Sequence, residues 1–332
     1  MSPLVITAFG SRLELKSERI EVYERDKLLH EVALRDVREI IIGKKGVSIS
    51  SDLLAACAEV GIAVAFLDYS GKPYGLFHTP CAHRTVSIRR AQFAFRESAA
   101  AGALMRRIVV NKIANQIRLL RYFARSANDT AAGALRAAAQ DIRSYIGQAR
   151  RIKRPELTDL RDSLMGCEGA AAAAYWRALS GWLEIDSFTH RTGRGAEDPV
   201  NAALNYGYGI LYARIWGAQI LAGLEPFAGL LHADRSGKYA LVLDAIEEFR
   251  VPLVDRPILA HCSRGLTLKI EAGLLDADSR RVVANWVLEA MERRVQYQGR
   301  EEAMSAVVGT QAQKLAAHVS GRESYRPYRF TH

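Results

Sequence analysis

The hydrophobic period of this chain changes between residues 78 and 86, and that change constrains the fold more than any other feature. Before it, "RLELKSERIEVYERDKLLHEVALRDVREIIIG" alternates apolar and polar residues in short runs broken by charged turns, which is the period of half-buried strands. "SSDLLAACAEVG" then reads as one helix, with Ser51 or Asp52 as N-cap and Gly61 as its stop. A buried strand, "IAVAFLD", and a turn at Gly71 follow. After "HTPCAHR" the texture becomes long helical patterns with few Pro or Gly residues. The expected fold class is α+β, with a small N-terminal β-rich domain over residues 1–80 and a larger, mostly α-helical domain over residues 81–332.

Charge narrows the partner. The 332 residues include 46 Lys and Arg against 36 Asp and Glu, a formal charge of +10. Such a balance suits a polyanion, with nucleic acid the first candidate and an anionic membrane surface the second. No apolar run approaches the length of a spanning helix, and "MSPLVITAFGSRLEL" shows neither a basic leader nor a cleavage site, so neither membrane insertion nor secretion is expected. Cys57, Cys81, Cys167 and Cys262 are far apart and form no C-x-x-C pair. They read as reduced cytoplasmic thiols rather than a zinc knuckle or a disulfide framework. The P-loop, dinucleotide, H-E-x-x-H and G-x-S-x-G patterns are all missing, which argues against P-loop nucleotide hydrolysis and serine esterase chemistry.

In "RRIVVNKIANQIRLLRYFARS", Val109, Ile113, Ile117 and Leu120 recur at helical spacing, while Arg107, Asn111, Arg118, Arg121 and Arg125 lie on a different side. From Ser98 to Asn128 there is no acidic residue, so Arg106, Arg107, Lys112, Arg118, Arg121 and Arg125 have no internal neutralisation. Phosphate is one counter-charge that fits, and a solvated helix face is the other reading. "GQARRIKRPELTDLR" adds a second basic stretch, with a break expected at Pro155.

Three places could carry chemistry. Glu168 precedes the alanines at 170 to 174, so a tightly packed helix starting here would carry the carboxylate near its first turn, where the macrodipole alone could explain it. If "YALVLDAIEEFR" is helical, Asp244 stands three residues before Glu247 and four before Glu248, putting the acids on a shared face beside His232. They repel unless Arg250 or a divalent metal lies between them; a solvated acidic face is the alternative. In "HRTGRGAEDPVNAALNYGYGILYARIW", Asp198 before Pro199 is an N-cap signal, and Asn201, Asn205, Tyr208 and Tyr212 form a polar stripe. Arg191 and Arg194, upstream in a Gly-rich loop, suit either a phosphate clamp or a mobile basic loop.

Taken in order, Glu168, "DPVNAALNYGYGIL", His232 and "LVLDAIEEFR" resemble the CRISPR-associated integrase of spacer acquisition, the Cas-one family, over essentially the whole chain. The resemblance implies that Glu168, His232 and Glu247 bind one Mg²⁺ or Mn²⁺, with Asp244 as a neighbouring acid needed for activity and Glu248 as a reserve ligand. It implies a homodimer joined through the β domain, and a small ferredoxin-like CRISPR-associated companion protein flanked by two such dimers. It also implies insertion of short duplex DNA into a repeat array, by attack of a 3′-hydroxyl on a phosphodiester. A site of this kind works through cation-stabilised phosphate charge without a covalent protein nucleophile. Arg107, Lys112, Arg118, Arg121, Arg125, Arg191 and Arg194 would hold the double-stranded DNA through its phosphates. Because His232 ligates only when neutral, activity should fall at acid pH. The competing expectations are a transposon-borne relative that integrates its own ends, a non-catalytic DNA-binding scaffold and an RNA-binding regulator.

Overall fold

The computed structural model describes all residues except 1, 70, 78–84, 155, 194, 266–267, 272 and 332. The boundary expected between 78 and 86 falls largely outside the described residues, as do Cys81, Pro155 and Arg194. Among the described residues the architecture is α+β, with two four-stranded sheets first and, after the boundary, helices interrupted by two short two-stranded sheets.

The N-terminal part holds β1 (Ser2–Ile6), β2 (Ser11–Lys16), β3 (Arg19–Glu24), β4 (Lys27–Ala33), β5 (Val37–Ile42), β6 (Ser48–Ile49), helix α1 (Ser51–Val60), β7 (Ala63–Leu67) and β8 (Pro73–Phe77). Two four-stranded sheets result, ordered β4-β3-β2-β6 and β1-β5-β7-β8. The turns of the β2–β3–β4 meander are two residues long, Ser17-Glu18 and Arg25-Asp26, and all four residues take positive φ (47°, 61°, 46° and 65°). That backbone matches the twist of the strands it joins. Leu13, Ile20, Ile40, Ile42, Leu53, Cys57 and Val64 form the core shared by both sheets and α1.

The half-buried alternation expected along the whole segment fails at β5, where Ile41 turns the other way, with Ala65 and Leu67 of β7, into the core of the helical part. The β1-β5-β7-β8 sheet is therefore covered on both faces, as parallel strands usually are. The cap of α1 is Ser50, not Ser51 or Asp52. Its extended backbone (φ −69°, ψ 148°) frees the hydroxyl to accept from Leu53 N at 3.2 Å, and Gly61 ends the helix at φ 76° as expected.

The helical part comprises α2 (Thr85–Arg96), α3 (Ala99–Phe123), α4 (Asp129–Arg151), α5 (Leu157–Leu183), α6 (Pro199–Leu221), α7 (Ala240–Ile246), α8 (Arg256–Cys262), α9 (Ala277–Glu292) and α10 (Met304–Val319). Helices α3, α4 and α5 pack on one another, and α6 runs buried through the centre against α7, α8, α9 and α10. Asp198 caps α6, accepting from Asn201 N at 2.8 Å, with Pro199 in the first turn. Among the described residues, no helix is long and apolar enough to cross a membrane.

The two parts meet along α6. A β-carbon on Gly209 would run into the carbonyl oxygen of Gly71, and one on Gly71 would stand 2.7 Å from Tyr206 Cα. Backbone meets backbone here, an approach open only to glycine. Polar ties flank the joint. Arg38 Nη1 donates to Ser305 Oγ at 2.8 Å while its Nη2 pairs with Glu292, and Arg214 lies 3.4 Å from Glu39.

Candidate active site

Glu168 does not open a helix. It sits midway along α5, because "LTDLRDSLMG" is already helical, burying Leu160 and Leu164 before Ala171 and Tyr175 continue the same packing. Gly166 and Gly169 look like breaks in the sequence, yet an interior glycine costs only about 1 kcal/mol relative to alanine, less than the burial of those neighbours returns. From Glu168, one-turn steps along α5 reach Ala172 and Trp176, and all three line a cleft of about 540 Å³.

The three acids expected on one face go to three different places. Asp244, buried in α7, points into the 230–232 loop. Its Oδ1 accepts from His232 N at 2.9 Å and faces His232 Nδ1 at 2.8 Å, and its Oδ2 accepts from Leu230 N and Leu231 N at 2.5 and 3.1 Å. A carboxylate only accepts, so Nδ1 carries the ring proton and Nε2 of the neutral ring keeps a free lone pair.

Glu247 and Glu248 lie just past α7, where the chain leaves the regular helix and enters a π-helical turn at Val251–Asp255. Glu247 faces the cleft. Its Oε2 is 2.6 Å from Lys112 Nζ, an ion contact off the direction of a hydrogen bond, and its Oε1 is 3.4 Å from Arg250 Nη2. Glu248 turns away into a cage made by Tyr325 Oη, Tyr328 N and Gln311 Nε2, the last at 2.7 Å. It therefore does not share a site with Glu168, and Glu247 does.

Lys112 joins the two carboxylates. Expected on the exposed basic face of α3, it is instead buried, with Nζ in contact with both Glu168 and Glu247. Burial works against its charge, but Glu247 and Glu168 outweigh burial and raise its pKa. Burial likewise opposes ionisation of Glu247, yet Arg250 and Lys112 hold its carboxyl below the usual value. The buried Oε1 of Gln116, one turn from Lys112, also lines the cleft and has no hydrogen-bond donor facing it.

The polar stripe on α6 builds the opposite wall. Asn201 and Asn205 accept from Arg191 Nη1 and Nη2 at 2.9 and 2.6 Å, and their amides donate to His190 O and Gly193 O. Arg191 is thus fixed, over the rings of Trp176 and Tyr208 at 5.7 and 5.3 Å, rather than loose in a mobile loop. Tyr208 and Tyr175 donate to buried Asp255, and Arg250 lies over Tyr208 while donating to Tyr212 Oη at 3.0 Å. Burial raises the Asp255 carboxyl, partly offset by the two tyrosines. Trp176, Arg177, His190, Asp255 and Gln116 were not singled out for this site by the sequence, whereas Arg250 and Tyr208 were. Trp176 and Gln116 could have been found by stepping one or two helical turns from Glu168 and Lys112.

The remaining basic residues lie away from this cleft. Arg121 near the end of α3 and Arg125 just past it are exposed, and Arg118 is partly covered. Burial, then Arg329 and Arg121 beside it, push the Arg118 guanidinium below its ordinary value, so positive charge is concentrated there. Arg107 is exposed but donates to Tyr325 O at 3.0 Å, and Arg106 caps the end of α4 through Ala149 O and Ile152 O.

Two carboxylates on different elements share one cation, beside an orphaned amide oxygen and near an imidazole whose Nε2 is left free. Hard oxygen donors with one imidazole suit Mg²⁺ or Mn²⁺. Among the described residues, no three His, Cys, Asp or Glu side chains yet close round a single point.

A family model described as CRISPR associated protein Cas1 matches residues 4–286. The chain is 32% identical to CRISPR-associated endonuclease Cas1 1 of Archaeoglobus fulgidus over 341 residues, covering 98% of each. Among solved structures it resembles a casposase bound to integration product (TM-score 0.81, 20% identity, 100% of this chain and 96% of that one). It also resembles a chain of a Cas6-RT-Cas1–Cas2 complex (TM-score 0.80, 20% identity), covering all of this chain but 36% of that longer one. At these identities the structural likenesses are likenesses of fold.

Proposed function

Because the chain belongs to the Cas1 family of CRISPR-associated proteins, we propose that it is a metal-dependent DNA integrase and endonuclease that inserts short duplex DNA into a CRISPR repeat array. The observation that carries this reading is the convergence of Glu168 and Glu247 on one cation, in a cleft lined by Arg177, Arg191 and Arg250. In the proposed reaction the 3′-oxygen of the incoming strand forms a new bond to a target phosphorus, and the target strand's own 3′-oxygen leaves. Water in place of that hydroxyl gives endonuclease cleavage.

Glu168, Glu247 and His232 would hold a Mg²⁺ or Mn²⁺ ion, whose chemistry is to neutralise charge building on the phosphate oxygens. The protein does the rest. Asp244 fixes the tautomer and direction of His232. Arg191, already held by Asn201 and Asn205, presents a preset guanidinium to a phosphate. Arg118, Arg121 and Arg125 would guide the duplex backbone across α3 without reading its sequence.

Family membership further supports a homodimer through the β sheets, a small ferredoxin-like companion protein and a cytoplasmic setting. The relative from Archaeoglobus fulgidus is named an endonuclease, and one structural neighbour is a Cas1–Cas2 assembly. The casposase likeness supports a second reading, integration of an element's own ends. Retention of Glu168, His232, Asp244 and Glu247 weighs against a scaffold without chemistry.

The test is joining of a labelled short duplex to a plasmid carrying a repeat array, with the companion protein, in Mn²⁺ or in chelator. Metal-dependent product from the natural chain, lost in Glu168→Ala while DNA binding persists, is expected. Joining restricted to transposon-end duplexes would favour the second reading. DNA binding with no product from any duplex would favour a scaffold.

A further inference from the structure

We propose that Lys112 is a tethered counter-ion that takes the place of the divalent cation in the metal-free protein, and that it must leave Glu168 and Glu247 before a metal can bind there. The inference rests on the metal reading above and assigns to this residue a role that its position on a basic helix does not suggest.

The geometry is that of a bridge. Nζ touches Glu168 from α5 and stands 2.6 Å from Oε2 of Glu247 beyond α7, so one ammonium neutralises two carboxylates brought together from distant parts of the chain. All three side chains are largely covered, at 11%, 15% and 4% exposure, which leaves water little part in screening them. Arg250 supplies the second positive charge on the other oxygen of Glu247. The pair is thus already balanced.

A divalent ion on the same oxygens would crowd at least four positive charges round two negative ones. The ammonium is the group able to yield, since it ends a flexible four-carbon stem, whereas Arg250 is pinned over Tyr208 and bonded to Tyr212. Among the described residues, no acid in the cleft wall is ready to receive it. Asp255 has its oxygens committed to Tyr175 and Tyr208, and Arg177 and Arg191 repel it. A DNA phosphate entering the cleft is the anion that suits the displaced ammonium. Lys112 consequently weakens metal binding to the free protein and releases that restraint when substrate arrives.

The experiment is calorimetric titration of MnCl₂ into the metal-free full-length protein, as the natural chain and as Lys112→Met, Lys112→Gln and Glu168→Gln, with thermal unfolding of each with and without Mn²⁺. Lys112→Met is expected to bind Mn²⁺ at least tenfold more tightly than the natural chain, to melt lower without metal and to gain more from it. If it does not fold without metal, Lys112→Gln takes its place. In the natural chain, acetylation of Lys112 read by mass spectrometry should be slow without metal and faster at saturating Mn²⁺. A smaller gain in affinity from the folded Lys112 variants, or acetylation indifferent to Mn²⁺, overturns the proposal. If Glu168→Gln binds Mn²⁺ as the natural chain does, the metal reading itself is what fails.

Discussion

His232 Nδ1 stands 2.8 Å from Asp244 Oδ1, and the same carboxylate accepts three successive backbone N–H groups from Leu230, Leu231 and His232. One buried acid therefore shapes the loop and aims the ring it carries. Asp244→Ala leaves four donors without their acceptor and should cost about 3 kcal/mol of stability, read by urea unfolding. Where the variant remains folded, DNA joining should drop roughly 10- to 100-fold, the usual effect of losing a group that orients a metal-binding histidine.

On α3 and in the turn just past it, position decides what each arginine does. Arg121 and Arg125 are exposed, whereas Arg106 donates to Ala149 O and Ile152 O at 3.2 and 2.8 Å. Replacing Arg121 or Arg125 by alanine should flatten the salt dependence of duplex binding, by about 0.9 in log–log slope for each phosphate no longer neutralised. Arg106→Ala should leave that slope alone and lower the melting temperature. Anisotropy titrations at several salt concentrations, with calorimetric melting, separate the two outcomes.

Gly209→Ala tests the joint between sheet and helix. The added methyl meets the backbone of Gly71, which has no rotamer by which to move aside. A loss of about 3 kcal/mol or more is expected, against a gain of up to about 1 kcal/mol from Gly133→Ala inside α4, where nothing stands in the way. Denaturant midpoints of the two variants give the comparison.

Burial pushes the Cys57 and Cys262 thiols up to about 11. Each folded-state value exceeds the ordinary value of 9.0, so the stability these thiols contribute is intact below pH 9 and is lost as pH rises through 11. At pH 8 the native protein should resist iodoacetamide at both positions, and both should react at once in urea. Peptide mapping of the alkylated chain checks this.

Local signals were readable and distant ones were not. Asp198 with Pro199, and Gly61, announced their helix ends because a cap is decided within a few residues. Glu168 was recognisable as a candidate, but its place in mid-helix was hidden by flanking glycines whose cost tertiary burial overrides. Lys112 resembled its exposed neighbours because helical spacing shows only that it lies off the apolar stripe. That α5 and the turn after α7 cover that side is a fact of packing. The separate fates of Glu247 and Glu248 depend on Tyr325 and Tyr328, which lie 77 and 80 residues from Glu248. Arg191 could not be told from a loose loop residue until Asn201 and Asn205 were seen to grip it.

The divergence of Asp244, Glu247 and Glu248 bears on what length of chain this segment can have. In a helix each residue is turned by about 100° from the last, so removing one residue between Asp244 and Glu247 would rotate everything that follows by that amount. Glu248 would be carried toward the position of Glu247, and the cage around Tyr325 and Tyr328 would receive Phe249 instead. Side chains such as Ala245 and Ile246 have substitutes of similar size. The count of residues between the three acids has no substitute.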